Sequence, residues 1–329
     1  FLNLAGLLNT RLFKGQLHFQ ALGTNFRVWS DGIVSPLFEE LESTSRLIAC
    51  EYEDVAGRQA LLHDPDWVRD FRRDWYHGRR GKNLARLKTK LGLPDHLVIR
   101  ELHLLTFDGA PVADWEGETL QQVFERLGAY QAGRCEARSE AEGAAFDTFP
   151  NPIVDDAAFM LQLLRAYDKG FRFYADVGNV GNKATLELLL HKNSLPGFND
   201  SGAHITNMAF FDANLMSLKL AQERDLATVS TMVRRLTREP AAFFGLDVGT
   251  LDLGAQADLT LINPEALHGW HCDRTRRLEY RELFAHEQMV NRPEGIVSRV
   301  WIRGATVWQD NAFTTTLGSR PLGRALRAA

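Results

Sequence analysis

The chain has 329 residues, 45% of them apolar, and a formal net charge of -4 from 38 Lys and Arg against 42 Asp and Glu. That length holds one large barrel or two ordinary domains, with ample apolar residues for a core. The small charge and the lack of a Lys/Arg-rich run argue against nucleic acid or an anionic membrane as the main partner. Cys50, Cys135 and Cys272 are far apart, odd in number and without a Cys-x-x-Cys pair. This argues against a disulfide framework and a thiolate zinc site, and sets a reducing, cytoplasmic expectation. No apolar run approaches the length of a membrane span, and Phe1 to Leu8 lacks the basic flank and cleavage pattern of a signal peptide.

In chain order, Leu17-His18-Phe19-Gln20-Ala21-Leu22 followed by Gly23-Thr24-Asn25 predicts one strand and a loop within Gln16 to Val28. His18 in that strand is read as a packed, hydrogen-bonded side chain. Ser35-Pro36 opens a helical stretch to about Arg46, with Glu39, Glu40 and Glu42 near the start, where the helix dipole favours acids. Asp64-Pro65 supplies an N-cap and a first-turn Pro for a second helix, whose Trp and Phe stripe reads as core. Lys82 to Lys90 reads as a solvated helix face. Glu101 to Leu105 predicts another strand, with His103 judged as His18 is. Gly117 to Gly128 predicts a helix, and Gln131 to Phe146 a polar helix or a connection.

The next portion alternates. Asp155-Asp156 caps a helix that runs to Lys169-Gly170, Phe171 to Val177 is a strand, Ala184 to His191 a helix, and Leu195 to Phe198 a buried strand. Alternation of this kind implies parallel strands with right-handed crossovers and an α/β architecture. An acid at the C-terminal end of a parallel strand points into the mouth where sites are built, which marks the side of Asp176 and Asp200. Ser201, Gly202 and Ala203 are small enough to let a ligand approach the backbone, and His204 returns an imidazole to the same mouth. A loop with Asn207, Phe210, Phe211 and Asp212 runs into a helix over Ala213 to Glu223. Thr228 is the candidate N-cap of the next helix, and Pro240 starts a short one that Gly245 stops. Ala257 to Ile262 and Val297 to Ile302, with Gly304 and Val307, predict strands and a hairpin.

Asp200-Ser201-Gly202-Ala203-His204 after a short strand, then Leu236-Thr237-Arg238-Glu239-Pro240-Ala241-Ala242-Phe243-Phe244-Gly245-Leu246, then Gly249-Thr250-Leu251-Asp252-Leu253-Gly254-Ala255-Gln256-Ala257-Asp258-Leu259, resembles the C-terminal part of the amidohydrolase superfamily. Within it the chain is most similar to the N-acyl-D-amino-acid deacylases. Gly295-Ile296-Val297 through Val307 and Pro321-Leu322-Gly323-Arg324 resemble that family's closing strands and tail. The resemblance implies the C-terminal portion of a metal-dependent (β/α)8 barrel over residues 1–246 and a small β-sandwich-like domain over 247–329. It also implies a zinc or other divalent-metal hydrolase of a small N-acylated amino acid or related amide, with Asp200 as metal contact and general acid/base.

Hydrolysing an amide requires a nucleophilic water, stabilisation of the oxyanion and a proton for the departing amine, and a carboxylate near the water can shuttle that proton. His204, four residues on, is assigned to substrate contact or to orienting Asp200. Ser201 and Gly202 shape the loop and offer backbone N–H groups to a substrate carboxylate. Asp176 is a weaker candidate, since a strand-end Asp beside Gly178 is equally a loop cap.

The family's first strand carries a His-x-His metal pair, and none occurs here; His268-x-x-His271 has neither that spacing nor its context. A catalytic metal normally needs three protein ligands. The expectation is therefore that the chain is a piece of a longer protein whose main ligands lie upstream of Phe1. The alternatives are a catalytically silent or truncated subunit that keeps the fold and, among enzymes, a cyclic amidase of the hydantoinase or dihydroorotase kind. A homo-oligomer is possible, and which arginine would bind a substrate carboxylate is left open.

Overall fold

The computed structural model describes residues 2–10, 17–24, 26–33, 35, 38, 41–51, 53–77, 100–178, 181–198, 213–283 and 286–328. The fold is mixed α/β. It clusters into two compact units: a split unit of Phe1–Phe26, Gly178–Ile205 and Ala209–Ala329, and an inserted unit that is chiefly Arg27–Val177.

The split unit begins with α1 (Leu2–Leu8) and β1 (Phe19–Leu22). The inserted unit follows with β2 (Phe26–Asp31), α2 (Ser45–Ile48), α3 (Val55–His63) and α4 (Pro65–His77). It continues through β3 (Thr106–Phe107), α5 (Leu120–Gln131), α6 (Glu140–Phe146), α7 (Asp156–Tyr167) and β4 (Arg172–Gly178). Its sheet has the order β2-β4-β3, with Phe107 opposite Phe173 in the antiparallel β3–β4 pair.

Local signals in this unit work as expected in three places. Pro65 opens α4, and Trp67, Phe71 and Trp75, four residues apart, share one face and are buried, with Trp67 and Phe71 stacked at 5.2 Å. Thr119 and Gln122 close a reciprocal capping box on α5. The Asp155 side chain accepts from Ala158 N at 2.8 Å to start α7.

Four readings change. Val28 lies in a second strand, β2, where a loop is expected; Arg27, Trp29 and Asp31 alternate with Val28 and Ser30 along it. The helix expected up to Arg46 is interrupted, because Glu42–Thr44 form a turn in which the Thr44 hydroxyl bonds back to the carbonyls of Phe38 and Leu41. Glu101 to Leu105 contains a 3-10 turn over Leu102–Leu104 instead of a strand, with Leu102 and Leu105 inward and His103 exposed. Helix α7 ends at Tyr167 with Asp168, at a φ of 50°, as its C-cap, two residues short of the expected Gly170. Arg58 holds both Asp168 carboxylate oxygens, at 2.9 and 2.7 Å. Lys82 to Lys90 lies outside the described residues.

The split unit resumes with α8 (Asn182–Leu190), β5 (Ser194–Phe198), α9 (Ala213–Arg224), α10 (Leu226–Leu236) and α11 (Arg238–Phe243). Then come β6 (Leu259–Ile262), α12 (Pro264–Gly269), α13 (Cys272–Thr275), β7 (Arg276–Arg281), β8 (His286–Asn291), β9 (Val297–Ile302), β10 (Ala305–Gln309) and β11 (Ala312–Phe313). Its core includes Leu189, Leu215, Ala221, Met232, Trp270 and Ile296. Strand β5 runs parallel to β1, from Phe19 opposite Ser194 to Leu22 opposite Phe198. Alternation places helices between strands but does not choose neighbours, and β4 belongs to the other unit's sheet.

Asp225, not Thr228, caps α10: its carboxylate accepts from Thr228 N at 2.6 Å, so Thr228 already lies in the first turn. The expected closing strands form an antiparallel sheet of order β11-β10-β9-β6. Arg303 and Gly304 join β9 to β10 with φ of 49° and 79°, and Asp310 and Asn311 join β10 to β11 with 55° and 59°. Positive φ at both central residues gives the twist that two-residue hairpins favour.

Candidate active site

The sequence places the candidate acid two residues beyond β5, so in chain order it falls between β5, which pairs with β1, and α9. At the C-terminal ends of this parallel pair, Leu22 and Phe198 are in register. After Leu22 the chain passes through Gly23 and the buried Thr24. A Cβ at Gly23 would overlap the Ser217 hydroxyl and the Ala213 carbonyl oxygen, so only glycine lets the loop after β1 lie against the first turn of α9. The Ser217 hydroxyl itself donates to that Ala213 carbonyl at 2.7 Å.

The opposite end of β5 is fixed by a side chain the sequence did not single out. Arg235, on the last turn of α10, is only 5% exposed. Its guanidinium donates to the carbonyls of Leu189 at 2.6 Å, His191 at 2.9 Å and Ser194 at 2.6 Å. Burial pulls it below the ordinary arginine range, against the opposing pull of Glu239, which it meets at 3.0 Å. Lys219, buried on α9, donates to the carbonyls of His268 at 2.6 Å and Leu267 at 3.4 Å near the end of α12. A cation there answers the unpaired carbonyls and the negative end of the helix dipole. A periodic pattern reads both residues as the polar edge of an amphipathic helix. What marks Arg235, in retrospect, is its place in the buried register of Thr228 and Met232.

Asp200, Ser201, Gly202 and His204 lie outside the described residues. Asp176 is described, and it sits inside β4 two residues before the strand's end. Arg27 grips both its oxygens, at 2.8 and 3.0 Å, and lies 4.0 Å from the centre of the Tyr174 ring. Asp176 is thus held by a bidentate ion pair inside its strand. His18 packs edge-on to Phe243 at 4.7 Å as expected, although its buried Nδ1 has no hydrogen-bond partner among the described residues. His268 and His271 are exposed.

The profile of the Amidohydrolase family matches residues 138–308, more than half of the chain. The chain belongs to the amidohydrolase family. This amidohydrolase is 27% identical over 312 residues to uncharacterized proteins of Mycobacterium bovis and Mycobacterium tuberculosis, covering 92% of this chain and 44% of theirs. It thus spans less than half the length of those curated relatives. Over 51 residues it is 47% identical to a dihydroorotase of Geotalea daltonii, which covers 16% of this chain and 12% of that protein. The crystal structure of a D-aminoacylase aligns with 70% of this chain and 39% of its own, at a TM-score of 0.31 and 16% identity.

Membership of the amidohydrolase family carries the expectation of a divalent metal. Among the described residues no group of three or more His, Cys, Asp or Glu side chains can hold a metal ion. The described residues do not by themselves supply a ligand set. No described helix is long and apolar enough to cross a membrane.

Proposed function

We propose that this amidohydrolase hydrolyses a linear, non-peptide carbon–nitrogen amide bond, and that its substrate is an N-acyl-D-amino acid. The family match over residues 138–308 carries the reading, because it takes in β5 and the Asp-Ser-Gly-Ala-His run that follows. In this reading the Asp200 carboxylate accepts a proton from the attacking water and passes it to the departing amine. His204 contacts the substrate or orients Asp200, and the backbone at Ser201 and Gly202 receives the substrate carboxylate. Zinc is the proposed ion, with Asp200 among its ligands and the others outside the described residues. The proposed organisation is a partial (β/α) barrel over residues 1–246 and a β-sandwich-like domain over 247–329, in a cytoplasmic protein able to form homo-oligomers.

Two observations keep narrower alternatives. The lack of a His-x-His pair in the sequence keeps a silent or truncated subunit that retains the fold. The local identity to dihydroorotases favours a cyclic amidase.

Metal content by elemental mass spectrometry and hydrolysis of a panel of N-acetyl-D-amino acids, on the parent chain and on Asp200→Asn, test the reading. About one zinc or more per chain, the usual complement of a catalytic site, lost together with turnover in a folded Asp200→Asn, would mean that the site is assembled within this chain and would support the reading. Undiminished turnover in Asp200→Asn removes the assignment of Asp200. A parent that is metal-free and inactive supports an incomplete piece with ligands supplied from elsewhere or a silent subunit, and cleavage of cyclic amides alone supports the cyclic amidase.

A further inference from the structure

The ladder alone holds β5 weakly. The strand has five residues and one partner among the described residues, Pro196 has no N–H to give, and the register shifts between Ala21 and Leu22. Gly197, at a φ of 112°, adds a residue with little conformational preference. Slippage by one residue would turn every side chain of such a strand to the opposite face. Something else must fix where β5 begins.

Arg235 is placed to do so. Leu189 and His191 lie where α8 ends, among carbonyls that find no partner within a helix, and Ser194 is the first residue of β5. One guanidinium binds all three carbonyls and reaches the Ser194 hydroxyl at 3.2 Å, while that hydroxyl lies within donating distance of the Leu188 carbonyl at 2.5 Å and the His191 carbonyl at 2.9 Å. The planar fork presents donors in several fixed directions, which an ammonium, a compact point charge, cannot reproduce. The turn from α8 into β5 is therefore clamped on the inside.

We propose that Arg235 is a positioning residue for the hydrolysis proposed above: by clamping the α8–β5 turn it sets the register of β5, and so the place from which the chain leaves Phe198 toward Asp200. The proposal rests on that functional reading for its catalytic consequence only. Its structural half concerns β5 itself.

The test uses Arg235→Gln and Arg235→Lys, with Arg58→Gln as a control that removes an equally buried arginine from the inserted unit. Turnover of N-acetyl-D-amino acids and amide exchange at Leu195, Gly197 and Phe198 are measured where circular dichroism shows each variant folded. We expect Arg235→Gln to lower kcat at least tenfold with KM within twofold, to speed the three amides at least tenfold, and Arg235→Lys to restore neither in full. The control should leave kcat and β5 exchange within twofold. A folded Arg235→Gln with parental kcat overturns the proposal, as does unchanged exchange. If Arg235→Gln does not fold, Arg235→Lys is held to the same criteria. If the parent hydrolyses nothing, the functional reading fails on its own, and the exchange rates still decide whether Arg235 sets β5.

Discussion

The most buried arginine of each unit is balanced by different means. In the inserted unit Arg58 faces a carboxylate, meeting Asp168 at 2.7 Å, and the half-buried Arg126 meets both Glu118 and Glu142 at 2.7 Å, while the half-buried Arg165 donates to the Leu62 carbonyl at 2.9 and 2.7 Å. In the split unit Arg235 and Lys219 face mainly backbone carbonyls. The direction of the pKa shifts follows. The hydrogen bond to Asp168 outweighs burial and raises Arg58, whereas burial dominates at Arg235 and lowers it. A charge balanced by another side chain ties stability to the ionisation of an acid. A charge that gathers carbonyls ties it to the path of the main chain.

The largest expected effect lies in the inserted unit. Glu142 is fully buried and accepts from Trp115 Nε1 at 3.0 Å, Arg126 Nε at 2.8 Å and Arg138 N at 2.7 Å. Glu142→Ala leaves the half-buried Arg126 with Glu118 as its remaining carboxylate and takes the acceptor from Trp115 Nε1 and Arg138 N, and should cost about 3–5 kcal/mol in urea unfolding. Arg235→Gln should cost less, about 1–3 kcal/mol, since the carbonyls it leaves behind are neutral. Equal costs for the two variants would break the comparison.

A smaller effect sharpens it. Burial alone would raise the Glu118 carboxyl, but Arg126 and Arg138 outweigh it and hold the group below the usual glutamate range. A depressed folded pKa stabilises the protein at neutral pH, and that stability is lost as pH falls below the unfolded value of about 4.3 and through the folded one. Urea midpoints measured from pH 7 to pH 3 should therefore fall less steeply at the acid end for Glu118→Gln than for the parent. Parallel curves would show that this acid contributes nothing to the pH dependence.

Much of the fold was legible where one local signal acts alone. The cap and aromatic stripe of α4 and the capping box of α5 each fix their element without tertiary help, and the apolar run of β5 marks where a strand lies. Asp225 and Thr228 show where that stops, because both can cap and only the chain's exit from α9 chooses between them. The β7–β8 hairpin escaped notice because Arg276 to Arg281 and His286 to Asn291 are polar at most positions, with only Met289 and Val290 buried among apolar residues. The candidate site was legible as a motif, since Asp200 follows a recognisable strand. Its support was not: the role of Arg235 depends on three carbonyls more than forty residues earlier in the chain.

The two tight reversals at Arg303-Gly304 and Asp310-Asn311 also bear on the order of events during folding. They keep every pairing from β9 to β11 between near neighbours in sequence, whereas β6 joins β9 only after the intervening helices and the β7–β8 hairpin have been brought back. Loop closure makes the second kind of contact slower. Pulse-labelled exchange during refolding should protect amides of the β9–β10 ladder before those of the β6–β9 ladder. Simultaneous protection would mean that the four strands assemble in a single step.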